Sequence, residues 1–193
     1  MATRSGRSVD PRAVDLAALA RSGGRLAGAW PLGELERLSS LLLPADDGSA
    51  AEVVWSAAGA TRAVPAGEPE IWLELQARAP VRLQCQRCLQ PLTQVLAIER
   101  RLRFVRGADE AERLDADSED DVLELLARHD LRALVEDELI LALPLVPRHE
   151  VCPQPVLAAA ADALSADLGA GADQGGSAEH PFASLAALRR RAS

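Results

Sequence analysis

Alternation dominates the middle of the chain. Between Ile71 and Leu83 an apolar residue falls at every second position (Ile71, Leu73, Leu75, Ala77, Ala79, Val81 and Leu83). That is the period of a half-buried strand. Pro80 lies inside the run and cannot donate to a ladder, so an edge strand or a bulge is predicted there. Residues 92–105 read as the returning strand, although their arginines fall on both faces of a strict alternation. The segment Cys85–Pro91 joins the two as the turn of a hairpin. Upstream, Arg25–Trp30 and Glu52–Ala58 read as strands, and Gly59 reads as the start of a turn. Asp10-Pro11 has the chemistry of a helix start and predicts a short helix carrying Val14, Leu16 and Leu19 as far as Gly23-Gly24. Pro31 predicts a second helix with Leu32, Leu35, Leu38 and Leu42 on one face, stopped by Pro44. A short strand is expected over 122–126. Asp130 is expected to cap a helix reaching about Leu143, with Leu131, Leu134, Val135, Leu139 and Leu143 facing inward and Pro144 and Pro147 ending it.

These elements add up to an α+β fold: an antiparallel sheet centred on a long hairpin, short helices packed on it, and an extended C-terminal tail. The expected layout is a disordered leader over 1–9, a single domain over 10–156 with an acidic loop over 107–121, and an Ala/Gly-rich linker and amphipathic tail over 157–193. The tail carries Phe182, Leu185 and Leu188 at three-residue spacing.

Composition narrows the function. The 193 residues are 48% hydrophobic, but much of that is Ala, and three Trp, two Phe and no Tyr leave few rings on which RNA bases could stack. All 21 basic residues are Arg, whose planar fork suits carboxylate or phosphate. No apolar run has membrane-spanning length, and the basic, polar start MATRSGRSVD has no apolar signal core. With three Cys, two of them as CxxC, the expectation is a cytoplasmic protein in a reducing compartment, with no membrane partner.

A net charge of −8 argues against general coating of nucleic acid. Its distribution says more. Residues 78–106 carry Arg78, Arg82, Arg87, Arg100, Arg101, Arg103 and Arg106 against Glu99 alone, a net +6; residues 107–138 are net −10. The basic block is a candidate contact for RNA phosphates or for a protein partner. The bland alternative is a solvated strand face neutralised by the acidic segment.

Cys85 and Cys88 stand as CxxC in the hairpin turn, and His149 and Cys152 stand as HxxC downstream. Together they form a candidate Cys3His set for structural zinc, which takes four tetrahedral N/S ligands. The alternative is that the cysteines merely occupy a tight turn and His149 the surface; only the fold decides whether the halves meet. A redox CxxC normally opens a helix after a strand, and Pro91 with strand-like flanks does not provide that setting. Nothing in the sequence supplies an oxyanion hole or an orienting third group for a Cys–His nucleophile, so no enzyme is expected. Glu136, Asp137 and Glu138 are consecutive on the predicted helix. Their directions diverge by about a hundred degrees each, so they suit a solvated or partner-facing surface better than one acid–base site, though one acid could pair with an Arg.

Three segments in order resemble a known family: CQRCLQPL at Cys85–Leu92, LVEDELILALPLVPRHEVC at Leu134–Cys152, and HPFASLAALRRR at His180–Arg191. They are similar to the YceD-type large ribosomal RNA subunit accumulation proteins. The resemblance implies a role in synthesis, processing or stability of 23S ribosomal RNA. It brings no catalytic residue and no metal assignment. The expectation is a non-enzymatic ribosome-biogenesis factor whose partner is large-subunit rRNA or a pre-ribosomal particle. The alternative is an adaptor that binds a basic ribosomal or assembly protein without touching RNA.

Overall fold

A computed structural model describes residues 9–44, 51–65 and 67–153. The expected leader, except Val9, and the expected linker and tail over 157–193 lie outside the described residues.

The chain begins with α1 (Leu16–Arg21), capped by the Asp15 carboxylate, which accepts from the Ala18 N–H at 2.8 Å. The predicted helix is therefore shorter than expected. Asp10 instead accepts from Arg12 in a preceding turn, and Val14 forms a β-bridge with His129. β1 (Arg25–Pro31) follows as read. The predicted second helix breaks in two, a 3-10 turn at Leu32–Glu34 and α2 (Glu36–Ser40), because Leu35 between them is not helical (φ −91°, ψ 82°).

β2 (Glu52–Arg62) runs through Gly59 instead of turning there. A Cβ at Gly59 would sit 2.6 Å from the Ala20 nitrogen, so glycine marks the close approach of α1 to the sheet. β3 (Glu70–Gln84) and β4 (Pro91–Val105) form the hairpin in unbroken antiparallel register from Ile71↔Phe104 to Gln84↔Pro91. The sheet order is β1-β2-β3-β4-β5, so β3 is central and has no bulge. Pro80 is tolerated because the β2 ladder stops at Val54↔Arg78; from Ala79 onward β3 is paired only with β4.

The expected acidic loop is instead α3 (Ala108–Asp117), followed by β5 (Asp121–Glu124), which pairs parallel to β4. Arg113 pairs with Glu110 at 2.7 Å and reaches Asp117 at 3.7 Å, Ala111 is buried, and the Asp115 carboxylate accepts from the Val122 N–H. Pairs at i,i+3 and i,i+4 turn a run of acids into a helix surface. α4 (Leu131–Leu141) starts on Asp130, which accepts from the Arg132 and Ala133 N–H groups.

The core lies on one face of the sheet. Leu75, Leu73, Val81, Leu96 and Leu102 of that face pack with Leu16, Leu35, Leu38, Leu131, Val135 and Leu139 from the helices. α1 packs on β2 and β3, and α4 on β3 and β4. No helix among the described residues is long and apolar enough to cross a membrane.

Candidate functional site

The hairpin tip is built by backbone bonds across the turn. The Cys85 N–H donates to the Gln90 carbonyl at 3.0 Å, and the Leu89 N–H donates back to the Cys85 carbonyl at 2.8 Å. Leu89 takes a left-handed conformation (φ 60°) to close it, an arrangement that disfavours a branched side chain. Cys85 is fully buried, and Cys88 is half-buried on the turn.

The second half-site arrives after α4. The Gln86 N–H donates to the Pro147 carbonyl at 2.8 Å, and Arg87 donates to the His149 carbonyl at 2.6 Å and the Glu150 carbonyl at 3.3 Å. These bonds hold the HxxC segment against the CxxC turn. The ligand atoms of Cys85, Cys88, His149 and Cys152 all lie within 4.8 Å of one another. Zinc bonds of roughly 2.0–2.3 Å imply tetrahedron edges of about 3.6 Å, so binding would draw the widest pair in by roughly 1 Å. The Cys88 Sγ to His149 Nδ1 separation is already 3.4 Å.

The chemistry of the donor set fits. His149 Nε2 lies 3.1 Å from the Pro91 carbonyl oxygen, which can only accept, so Nε2 is the donor there and Nδ1 is the ring nitrogen that faces the sulfurs. Burial pushes the Cys85 thiol up. Backbone N–H groups of Cys88, His149 and Arg87, with the Cys88 side chain, outweigh that and bring it from 9.0 down to about 5. The thiolate, the metal-binding form, is thus favoured by the fold. Among the described residues no disulfide joins the three cysteines.

The arginine block divides. Arg100 on β4 bonds Glu138 at 2.7 Å and reaches Asp121 at 4.0 Å. Arg103 pairs with Glu70 at 2.7 Å, and Arg106 lies 3.8 Å from Glu68. Arg82 donates to the Pro44 carbonyl, and Arg87 fastens the second half-site. Arg78 and Arg101 make no ion pair with another described residue and are exposed. Sequence reasoning passed over Arg25 and Arg62, which point the same way as these two. The signal was the strand register, which periodicity alone does not fix.

Two of the three consecutive acids are turned inward, not toward solvent. Glu136 and Glu138 are buried. One Glu136 oxygen accepts from the Arg37 and Leu38 backbone N–H groups at 2.8 and 3.1 Å, and the other bonds the Arg37 guanidinium. Glu136 thus caps α2 from another element, since Leu35 offers no side-chain cap. Asp137, half exposed, pairs with Arg37. Such a tertiary cap has no local sequence signature.

Comparison with known proteins places these features in context. A family model described as large ribosomal RNA subunit accumulation protein YceD matches residues 73–189. The large ribosomal RNA subunit accumulation protein YceD of Haemophilus influenzae (strain ATCC 51907 / DSM 11121 / KW20 / Rd) is 45% identical over 69 residues, covering 36% of this chain and 40% of that protein. The chain therefore spans less than half the length of this curated relative. No solved structure matches.

Proposed function

The chain belongs to the YceD family of large ribosomal RNA subunit accumulation proteins, and from that premise we propose that it is a non-enzymatic, cytoplasmic factor that supports synthesis, processing or stability of 23S rRNA by contacting rRNA or a pre-ribosomal particle. The observation that carries the reading is the extent of the family match, which takes in the hairpin tip, the arginine-bearing β4 and α4. Exposed arginines on the sheet supply phosphate-binding forks. The acids of α3 oppose indiscriminate binding to polyanions.

The same reading gives Cys85, Cys88, His149 and Cys152 a structural zinc ion. Three thiolates and one imidazole fill four positions, leaving none for a reacting water; that closed set supports a structural role over a catalytic one. Zinc would supply cross-linking of the hairpin tip to the segment after α4.

The experiment is sedimentation of the tagged full chain from its own cells. It is expected to travel with large-subunit precursors, to be released by nuclease, and to lower 23S rRNA when depleted. Unchanged 23S rRNA on depletion would overturn the role; co-sedimentation that survives nuclease would replace RNA contact with a protein partner. Elemental analysis of chain purified without chelators is expected to give one zinc per chain, lost in Cys88→Ser and in His149→Ala. Absence of zinc in the unaltered chain would remove the metal.

A further inference from the structure

The ladder register assigns every strand residue to one of two faces. On the covered face, beneath α1 and α4, run Ala57, Leu75 and Arg100 in one row, and Gly59, Leu73 and Leu102 in the next. Over β1, β2 and most of β3 the opposite face carries no described helix; at its β4–β5 edge α3 packs on β5 and β4, where Val122 is buried in the row of Trp72 and Arg103 and Glu110 acts on Arg103. One of its rows reads Arg25–Ala58–Glu74–Arg101, the next Ala27–Ser56–Gln76–Glu99, and the next Ala29–Val54–Arg78–Ala97. Its floor is made of methyl-sized side chains: Ala27, Ala29 and Ala97 are exposed, and Ala58 is half-buried.

Seven arginines lie in strands: Arg25, Arg62, Arg78, Arg82, Arg100, Arg101 and Arg103. Arg82, Arg100 and Arg103 are engaged as described above. Arg25, Arg62, Arg78 and Arg101 form no ion pair or side-chain hydrogen bond with a described residue, all four are exposed, and all four project from the open face. Of the acids there, Glu70 is engaged by Arg103 and the Trp72 indole N–H, and Glu99 by Gln76; Glu52, Glu74 and, on β5, Glu124 form no ion pair with a described residue. Exposed forks with no described partner, standing over small side chains and outnumbering the unengaged acids of β1–β4, are arranged for an extended polyanion.

The face also indicates which kind of RNA. Single strands are held by stacking bases on exposed rings. The aromatic residue of the open face, Trp72, is only 6% exposed, so it offers no platform. Arg25 and Arg101 stand three strand spacings apart, about 14 Å, and Arg78 lies about 13 Å further along. Those separations reach different phosphates, not one. A-form duplexes are read by shape and by backbone contacts across a wide, shallow groove. We propose that the open face of the sheet docks double-helical RNA through its phosphates, with Arg25, Arg62, Arg78 and Arg101 as the contacts. This rests on the RNA-contact reading above and deepens it.

The test uses the purified full chain and a labelled RNA duplex of about 20 base pairs, with one of its single strands as the comparison probe. The duplex is expected to bind more tightly, with affinity falling steeply in salt. Arg78→Glu with Arg101→Glu is expected to weaken duplex binding at least about tenfold and to lower the log–log salt slope by about 2, while Arg106→Glu, beyond the end of β4, changes affinity less than about twofold. Arg25→Glu with Arg62→Glu, on different strands, is an independent second variant. Equal or tighter binding of the single strand, or unaltered duplex binding in both double variants with an unchanged circular-dichroism melt, would overturn the proposal. Failure here with nuclease-sensitive co-sedimentation intact would remove duplex docking and leave the rRNA role standing.

Discussion

Arg100 and Arg101 are neighbours in sequence and opposites in use. β4 turns the first to the covered face, where Glu138 and Asp121 receive it, and the second to the open face, where no described residue does. The same division runs through most of the sheet; only toward β5 does the open face bury Trp72 and Val122 and pair Arg103 with Glu70. The covered face spends its side chains on packing and internal charge pairs. The open face keeps small floors and exposed forks. A residue's contribution to this protein thus depends first on which face the register gives it, and only then on its chemistry.

That contrast can be broken most severely from inside. Leu75→Ala empties a site with no exposure in the middle of the covered face and is expected to destabilise by about 2–5 kcal/mol in urea denaturation. Gly59→Ala attacks the same face from the helix side. With a Cβ 2.6 Å from the Ala20 nitrogen, α1 must shift, and a loss of about 1–3 kcal/mol is expected. Arg100→Glu sets a carboxylate against buried Glu138 and is expected to lose about 1–3 kcal/mol, whereas Arg101→Glu should stay within about 0.5 kcal/mol. Equal losses for the two would erase the distinction between the faces.

A pH titration sharpens it further. His129 packs edge-on to Phe104 of the covered face at 4.9 Å, and its Nε2 accepts from the Leu126 N–H at 2.9 Å. Burial lowers its pKa below the ordinary 6.5, with Glu124 opposing, so the folded state favours the neutral ring. Its contribution to stability is full above about pH 6.5 and is lost as pH falls through the lower folded value. The urea midpoint should therefore drop below pH 6.5, and His129→Gln should remove that part of the drop. The smallest effect expected is Val54→Ala on the open face, 57% exposed, within about 0.5 kcal/mol.

Much of this was legible in the sequence where the signal was local. Strict period two named the hairpin, and Asp130 named the start of α4, because alternation and a cap act over a few residues. Elements defined by partners were not legible. The acids of 109–121 read as a loop until Arg113 paired along them. Glu136 and Glu138 read as surface because nothing nearby in sequence announces Arg37 or Arg100. Gly59 read as a turn because its reason is a helix from elsewhere in the chain. The four Cys and His residues were recognisable by type and spacing, but their meeting depended on where α4 delivers the chain.

Pro80 marks where β3 loses its second neighbour, and the last stretch of the hairpin continues as a two-stranded ribbon. Such ribbons are marginal by themselves in water. Cys88 and His149 are 61 residues apart along the chain and meet at the end of this one. A metal joining them would close a loop containing β4, α3, β5 and α4, and so deprive the unfolded chain of conformations worth about 4 kcal/mol by loop-closure entropy. The ribbon's persistence would then be decided less by what the tip touches when folded than by how far the unfolded chain is allowed to wander.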